Sequence, residues 1–190
     1  MPTKPGERKL QILQTLAAML EDPKAERITT AALAKRLDVS EAALYRHFAS
    51  KAQMFEGLIE FIEQTLFGLV NKITAEEKSG LKQIEAVLTL LLGFAKKNPG
   101  MTRVLIGEAL VNEDERLQAR INQLHDRLEA TLKQALRFAL SEKEIAEGVD
   151  PTAQANLMLA FVVGRWHQFA KSGFRRDPTE YWSAQWQRIV

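Results

Sequence analysis

Apolar residues recur with the period of an α-helix along almost the whole chain. In residues 7–21 they fall on one helical face, at Leu10, Leu13, Leu16, Ala17 and Leu20. No segment alternates between apolar and polar residues in the way that a half-buried strand does. The pattern therefore predicts an all-α protein.

The breaks in this periodicity predict where the other helices begin and end. We expect helices at residues 30–37, 40–47, 51–72, 81–97, 101–110, 112–140, 152–171 and 178–189. A polar loop at residues 22–27 follows the first helix. Pro99 ends one helix because proline cannot continue the hydrogen-bond ladder. Asp150 is expected to cap the helix whose first position is Pro151, a position that suits proline.

Composition restricts the possible chemistry. The 190 residues are 46% apolar, which is enough for a folded core. Because cysteine is absent, disulfides, thiolate zinc sites and cysteine nucleophiles are excluded. The stretches without charge at residues 86–95 and 151–164 are both shorter than the roughly 20 residues that a membrane helix needs. No apolar leader is visible at the N-terminus. We expect a soluble cytoplasmic protein without membrane contact, metal or cofactor.

The small net charge of +2 is unevenly distributed. Residues 1–51 hold nine Lys and Arg against six Asp and Glu, whereas residues 52–190 hold 17 against 18. An excess of this size is usually solvated surface. It becomes informative because of the motif that lies inside the basic segment.

Residues 28–51 carry the pattern of a helix-turn-helix. Thr29 or Thr30 can cap the first short helix and Ser40 the second. An apolar seam of Leu33, Ala34, Leu37, Val39, Leu44 and Phe48 can hold together two helices that are too short to be stable alone. The turn between them is only a few residues long, as a DNA-reading motif requires.

The outward side of the second helix suits the major groove. With Leu44 inward, a rotation of about 100° per residue turns Ala42, Ala43, Tyr45 and Arg46 outward. Alanine can contact a thymine methyl group and arginine can donate two hydrogen bonds to guanine. Polar groups at the flank face phosphates. The candidate DNA contacts are Thr30, Ser40, Ala42, Ala43, Tyr45, Arg46, His47 and Lys51. An ordinary pair of solvated short helices is the alternative.

At these residues the chain resembles the TetR family. Its recognition helix has the pattern Val-Ser-x-x-x-Leu-Tyr-x-His-Phe-x-x-Lys, matched by Val39-Ser40, by residues 44–48 and by Lys51. Asp38 stands where the family usually has glycine, and aspartate tolerates the left-handed conformation better than most residues. The resemblance implies a three-helix DNA-binding domain at residues 1–51 and a helical dimerisation and partner-binding domain at residues 52–190. It also implies a homodimer that reads palindromic double-stranded DNA.

Two C-terminal segments are candidates for the dimer interface. Residues 157–164 are too apolar for a lone surface helix, and the last helix carries two tryptophans one turn apart. We assign the interface to Ala160, Phe161, Gly164, Trp182 and Trp186. The alternative is burial of these residues in the core of one subunit.

The resemblance extends to one group of the TetR family, the nucleoid occlusion factors. It is carried by residues 41–51, 54–55, 58–63, 90–94, 98–100, 120–124 and 178–179. It implies a nucleoid-associated protein that binds dispersed chromosomal palindromes, contacts FtsZ and antagonises Z-ring assembly.

The resemblance places the docking site for the FtsZ tail at Phe61, Leu90, Gly93 and Asn98. Lys96, Lys97 and Arg103 are nearby cations suited to the acidic groups of such a tail. The alternative is core packing for Phe61 and Leu90 and a favourable helix C-terminus for the two lysines. Leu69 and Lys97 depart from the arginines of better-known members.

Two other functions remain as alternatives. The first is a ligand-responsive repressor, although the apolar residues of 81–95 are more typical of a core than of a ligand pocket. The second is an enzyme, which has little support because His47, His125 and His167 lie far apart in the sequence. The chain also lacks the His-Glu-x-x-His and Gly-x-Ser-x-Gly motifs and a phosphate-binding glycine loop. We therefore expect no catalytic residues.

Overall fold

The computed structural model describes residues 5–22 and 28–190, and within these ranges the chain is helical and contains no strand. The α-helices are α1 (Pro5–Leu20), α2 (Thr30–Arg36), α3 (Glu41–Tyr45), α4 (Lys51–Glu76), α5 (Gly80–Lys97), α6 (Pro99–Leu105), α7 (Glu115–Ser141), α8 (Pro151–Lys171) and α9 (Trp182–Ile189). A 3-10 turn at Glu108–Leu110 precedes α7. The predicted fold class is confirmed. Of the predicted polar loop at 22–27, residues 23–27 lie outside the described residues.

Three predicted helix caps are present. The Thr29 hydroxyl oxygen accepts a hydrogen bond from the Ala32 amide at 3.1 Å, and the Ser40 hydroxyl oxygen accepts one from the Ala43 amide at 3.2 Å. The Asp150 carboxylate accepts a hydrogen bond from the Thr152 amide at 2.8 Å at the start of α8. Each cap satisfies an amide that has no partner inside its own helix, so these helices begin where the sequence predicts.

Four predicted helices have bounds that differ from the structure by three residues or more. Helix α4 continues to Glu76 instead of ending at residue 72, and α7 begins at Glu115 instead of residue 112. The helix expected at 101–110 starts at Pro99 and ends at Leu105, because Gly107 adopts the left-handed conformation, with φ of 76°. The helix expected at 178–189 starts only at Trp182. Before it, the Asp177 carboxylate accepts hydrogen bonds from the amide and hydroxyl of Thr179, which holds the chain in a turn.

The described chain forms two compact units. The first runs to Ile62 and includes residues 99–121, whereas the second holds residues 63–98 and 122–190. The units are not continuous in sequence, because residues 99–121 belong to the first one. The division into domains at residues 1–51 and 52–190 stays a prediction about which segments act together.

In the first unit, α6 packs closely against α1. A Cβ atom added at Gly100 would lie 2.1 Å from the carbonyl oxygen of Ala17, so only glycine allows this approach. The Arg103 side chain on α6 is buried and donates to the backbone oxygens of Leu20 and Asp22, both at 3.1 Å. Helix α6 therefore supplies donors to carbonyls at the end of α1 that have no partner within that helix.

The core of the second unit is built around Trp166 of α8, which is fully buried. Its indole Nε1 donates a hydrogen bond to the Leu91 carbonyl oxygen of α5 at 3.1 Å. A buried tryptophan usually finds such a partner for its N–H group. This packing turns the opposite faces of α5 and α8 outward, where candidate site residues lie.

Candidate nucleic-acid interface

Helices α2 and α3 are joined by the apolar seam that the sequence predicts. Leu33 and Leu44 are each 1% exposed and Phe48 is 8% exposed. In the turn, the Val39 amide donates to the Ala34 carbonyl oxygen at 3.0 Å. Asp38 has φ of 54°, which is the left-handed conformation expected at this position. The seam fixes which side of the five-residue α3 faces outward.

The outward face of α3 and of its C-cap residue Arg46 is largely polar. Ser40, Ala42, Tyr45 and Arg46 are exposed, with 44% exposure for Tyr45. At the margins of this face, the candidate residues Ala43 and His47 are only half-buried. The arrangement can place a small side chain and a guanidinium against base edges, with the tyrosine hydroxyl at the flank.

A hydrogen-bond chain crosses the outer surface of the motif. The Thr30 hydroxyl of α2 donates to the Glu41 carboxylate of α3 at 2.6 Å, and the Tyr45 hydroxyl donates to the Thr30 oxygen at 3.5 Å. Two candidate phosphate contacts thus share a network with a carboxylate. Glu41 was not predicted to belong to this surface, although its position in the first turn of α3 indicates a place on this face.

Lys51, predicted as a phosphate contact, makes two contacts within the chain. Its ammonium group forms an ion pair with Glu113 and lies 5.7 Å from the centre of the Phe55 ring. Only 20% of its side chain is exposed. At the same helix start, the Ser50 hydroxyl oxygen accepts a hydrogen bond from the Gln53 amide at 3.2 Å and so caps α4. A phosphate contact by Lys51 requires its exchange from Glu113.

Other cations add to the positive charge around the motif. Lys35 and Arg36 are exposed in the last turn of α2. The Lys9 ammonium group of α1 lies 5.5 Å from the centre of the Phe48 ring. These residues were not singled out from the sequence because spacing alone does not show which surface lysines lie beside a recognition helix. Such charges favour binding to a phosphate backbone in a salt-dependent way.

In the second unit, the five candidate dimer-interface residues lie on α8 and α9. The ring centres of Phe161 and Trp182 are 5.9 Å apart, and those of Trp182 and Trp186 are 5.7 Å apart. Ala160 and Gly164 are exposed, and none of the five side chains is fully buried within this chain. They form a half-covered aromatic surface beside two small residues, which permits close approach by another helix.

The four candidate partner-docking residues are distributed over both units. Phe61 of α4 is 38% exposed in the first unit. In the second unit, Leu90 and Gly93 are half-buried one turn apart on α5. The Asn98 side-chain amide donates to the Phe94 carbonyl oxygen at 2.8 Å and so closes the end of α5.

The three cations predicted near these docking residues differ in their exposure and pairing. Arg103 is buried between α1 and α6, so its expected exposure to a docked tail is wrong. The Lys96 ammonium group pairs with the Asp177 carboxylate at 2.6 Å, whereas Lys97 is exposed. Burial raises the pKa of Asp177, but hydrogen bonds from Lys96 and Thr179 outweigh it and hold the pKa at about 2. Leu69, on α4, is 43% exposed.

The described residues contain no group of three or more histidine and carboxylate side chains placed to hold a metal ion. In the same part of the chain, no helix has both the length and the apolar character needed to cross a membrane.

Two family models match the chain. Residues 12–58 match "Bacterial regulatory proteins, tetR family", and residues 78–190 match "Tetracyclin repressor-like, C-terminal domain". The first match contains the helix-turn-helix, and the second contains α5 to α9.

Curated relatives are similar over nearly the full chain. The nucleoid occlusion factor SlmA of Alteromonas mediterranea is 54% identical, with 96% of this chain and 94% of the relative covered. The protein of the same name from Shewanella pealeana is 52% identical, with 96% and 92% covered.

Solved structures share the fold at much lower identity. The TetR-family regulator PfmR of Thermus thermophilus has a TM-score of 0.77 at 22% identity, with 95% of this chain and 97% of that chain covered. The fatty acid degradation regulator FadR of Bacillus halodurans has a TM-score of 0.79 at 14% identity, with 98% and 96% covered.

Proposed function

The chain belongs to the SlmA group of nucleoid occlusion factors within the TetR family, and from this premise we propose that it binds chromosomal palindromes as a homodimer and inhibits FtsZ assembly there. The observation that carries the proposal is similarity over both the helix-turn-helix and the C-terminal part at more than half identity. TetR-family regulators act on DNA as dimers. The resulting location is the nucleoid.

Sequence-specific contacts are made by α3 and its flanks. Arg46 donates two hydrogen bonds to a guanine, and Ala42 and Ala43 approach thymine methyl groups. Tyr45 and His47 bind phosphate oxygens at the rim. Thr30, Ser40 and Lys51 add the remaining backbone contacts. This assignment is supported by the exposure of Ala42, Tyr45 and Arg46 on one face of α3.

Dimerisation buries the aromatic surface formed by α8 and α9. Ala160 and Gly164 allow the backbones of two α8 helices to approach closely, and Phe161, Trp182 and Trp186 provide apolar area. A two-fold axis through this surface relates the two α3 helices, and the symmetry of the DNA site follows from it. The 54% exposure of Leu157 on α8 supports a further apolar contact there.

FtsZ docks through Phe61, Leu90, Gly93 and Asn98. In the second unit, Leu90 supplies an apolar contact for a short tail and Gly93 permits its close approach, and Phe61 supplies a separate apolar contact in the first unit. Asn98 holds the end of α5 through its hydrogen bond to Phe94. Exposed Lys97 supplies a positive charge for an acidic group of the tail.

The test is sedimentation of purified FtsZ polymers in the presence of GTP, with this protein and with or without its palindromic duplex. We expect inhibition to increase strongly when the palindrome is present. Equal inhibition with a shuffled duplex, or none with either, contradicts the proposal.

A glycine substitution separates docking from folding. A Cβ at Gly93 meets no heavy atom within 4 Å, so Gly93→Ala fits the fold and favours the helix. We expect this variant to bind DNA normally and to inhibit FtsZ less. Gly68→Ala is the matched control, since Gly68 on α4 is equally open. Equal inhibition by the two variants contradicts the docking role of Gly93.

One observation favours a second function, that of a ligand-responsive repressor. A cavity of about 340 Å³ in the second unit is lined mainly by apolar side chains, among them Leu81, Ile84, Leu136 and Met158. This volume lies within the range of small-molecule sites. Genome-wide mapping of binding sites distinguishes the functions, because scattered sites that avoid the replication terminus indicate occlusion. One or two promoters beside its own gene indicate repression.

A further inference from the structure

Glu41 is an acidic residue on the surface that is proposed to face DNA. It opens α3, its side chain is exposed, and it is the one charged residue within the five-residue helix. The surrounding segment, residues 1–51, has a net charge of +3. A carboxylate here opposes the attraction of phosphates, so it lowers affinity for DNA of any sequence.

The contacts of Glu41 place it within the binding face. Its carboxylate accepts a hydrogen bond from the Thr30 hydroxyl at 2.6 Å, and the Thr30 oxygen is 3.5 Å from the Tyr45 hydroxyl. Thr30 and Tyr45 are both proposed phosphate contacts. The carboxylate therefore lies between the groups that hold the backbone and the face that reads bases.

A role in holding α2 to α3 explains the Thr30 contact only in part. The seam of Leu33, Leu44 and Phe48 already joins the two helices. A neutral glutamine at residue 41 accepts the same hydrogen bond without repelling phosphates. No cation among the residues described in the structure forms an ion pair with Glu41, so the charge itself needs another partner.

We propose that Glu41 is a specificity-determining residue that accepts a hydrogen bond from the amino group of a cytosine in the major groove. When DNA binds, the Thr30 hydroxyl turns from Glu41 to a phosphate oxygen. The carboxylate oxygen that it leaves then accepts from cytosine N4, which is the pairing that acidic side chains make with bases. The inference rests on the proposed DNA-binding function.

The same charge disfavours guanine and thymine, whereas adenine, which also carries an amino group, is discriminated less strongly. Guanine and thymine present only acceptor oxygens and nitrogens and a methyl group at the corresponding edge, so a carboxylate finds no donor there. Repulsion of the wrong base and attraction of the right one both contribute to discrimination. Specificity gained in this way compensates for the weaker general attraction.

The experiment begins with selection of duplexes from a random pool by the full-length protein. The affinity of every single-base variant of the selected half-site is then measured at one salt concentration. Three variants are compared with the wild type, Glu41→Ala, Glu41→Gln and Asp38→Asn. Asp38→Asn is the matched control, because it removes one negative charge in the turn, and asparagine also tolerates the positive φ of this position.

For Glu41→Ala we expect the preference for C·G at one position of the half-site to fall by about 5- to 150-fold, the range for one good base contact. Affinity for a random duplex rises by about two- to fivefold because one repulsive charge is gone. In Glu41→Gln the preference at that position shifts toward adenine. Asp38→Asn keeps the wild-type base preferences.

Unchanged base preferences in Glu41→Ala, in a wild type that selects a clear motif, overturn this inference alone. A wild type that selects no motif overturns the proposed function together with it. Thr30→Val separates a role of Glu41 in base recognition from a role in joining α2 to α3, because it removes the hydroxyl that bonds to Glu41 and keeps the charge of Glu41. If Glu41→Ala and Thr30→Val lose equal stability in urea and both keep the wild-type base preferences, Glu41 serves only to hold α2 against α3.

Discussion

Arg103 allows the energetic link between α6 and α1 to be measured. Its side chain is 9% exposed, and its Nε donates to the Glu108 carboxylate at 2.8 Å. Its Nη1 donates to the Leu20 and Asp22 carbonyl oxygens, both at 3.1 Å. One guanidinium group therefore serves a carboxylate and two backbone acceptors at the end of α1.

Arg103→Met keeps an unbranched apolar side chain and removes all three of these hydrogen bonds. Loss of one partner of a buried ion pair costs about 3–5 kcal/mol. Glu108 retains 22% side-chain exposure, so water partly solvates its carboxylate and we expect a value near the lower limit. For a chain of this length, about 3 kcal/mol corresponds to a fall in Tm of about 6–12 °C.

Guanidinium chloride unfolding followed by circular dichroism measures this loss. Arg116→Met is the matched control, because the Arg116 side chain is 71% exposed and pairs with Asp114 at the surface. Exposed pairs contribute little to stability. If Arg103→Met is no less stable than Arg116→Met, the burial argument is refuted. The double change Arg103→Met with Glu108→Gln should recover part of the loss, since no buried carboxylate then lacks its cation.

Three further predictions follow from single sites. Arg46→Ala should weaken binding to the preferred duplex by about 1–3 kcal/mol in a titration at fixed salt, and an unchanged affinity excludes a base contact. Gly100→Ala should lower the free energy of unfolding by about 1–3 kcal/mol, because its Cβ would lie 2.1 Å from the Ala17 carbonyl oxygen. A variant as stable as the wild type would show that α6 can shift freely. Because the pKa of Asp177 is lowered from its ordinary value of 3.8, its carboxylate should stabilise the fold at any pH above 3.8. This contribution should fade as the pH falls toward about 2. Urea unfolding across this pH range should show a smaller loss in Asp177→Asn than in the wild type, and parallel curves contradict the assignment.

Features that depend on neighbours in the sequence were predictable. The caps at Thr29, Ser40 and Asp150 involve amides two or three residues away. The left-handed turn at Asp38 follows from the short connection between two helices. A cap, a turn and an apolar face each depend on a few adjacent residues, so their signals survive in one sequence.

Features that join distant segments were not predictable in this way. Lys51 pairs with Glu113, which is 62 residues away, and Arg103 binds the carbonyl of Leu20, 83 residues away. Helical periodicity shows that a charged residue lies on a polar face, but it does not show which other helix covers that face. Both cations were therefore predicted to be available to a partner.

In the recognition helix α3, some features depend on its own residues and others depend on the preceding helix. Helix α3 has five residues and is too short to be stable alone, so the buried Leu44 decides which way it faces. That single inward direction was enough to predict the exposure of Ala42, Tyr45 and Arg46. The orientation of Glu41, however, depends on Thr30 in the preceding helix. The surface offered to DNA is thus a joint property of α2 and α3. A substitution at Thr30 changes the surroundings of Glu41, which is proposed to read a base, although Thr30 itself is proposed to contact only the DNA backbone.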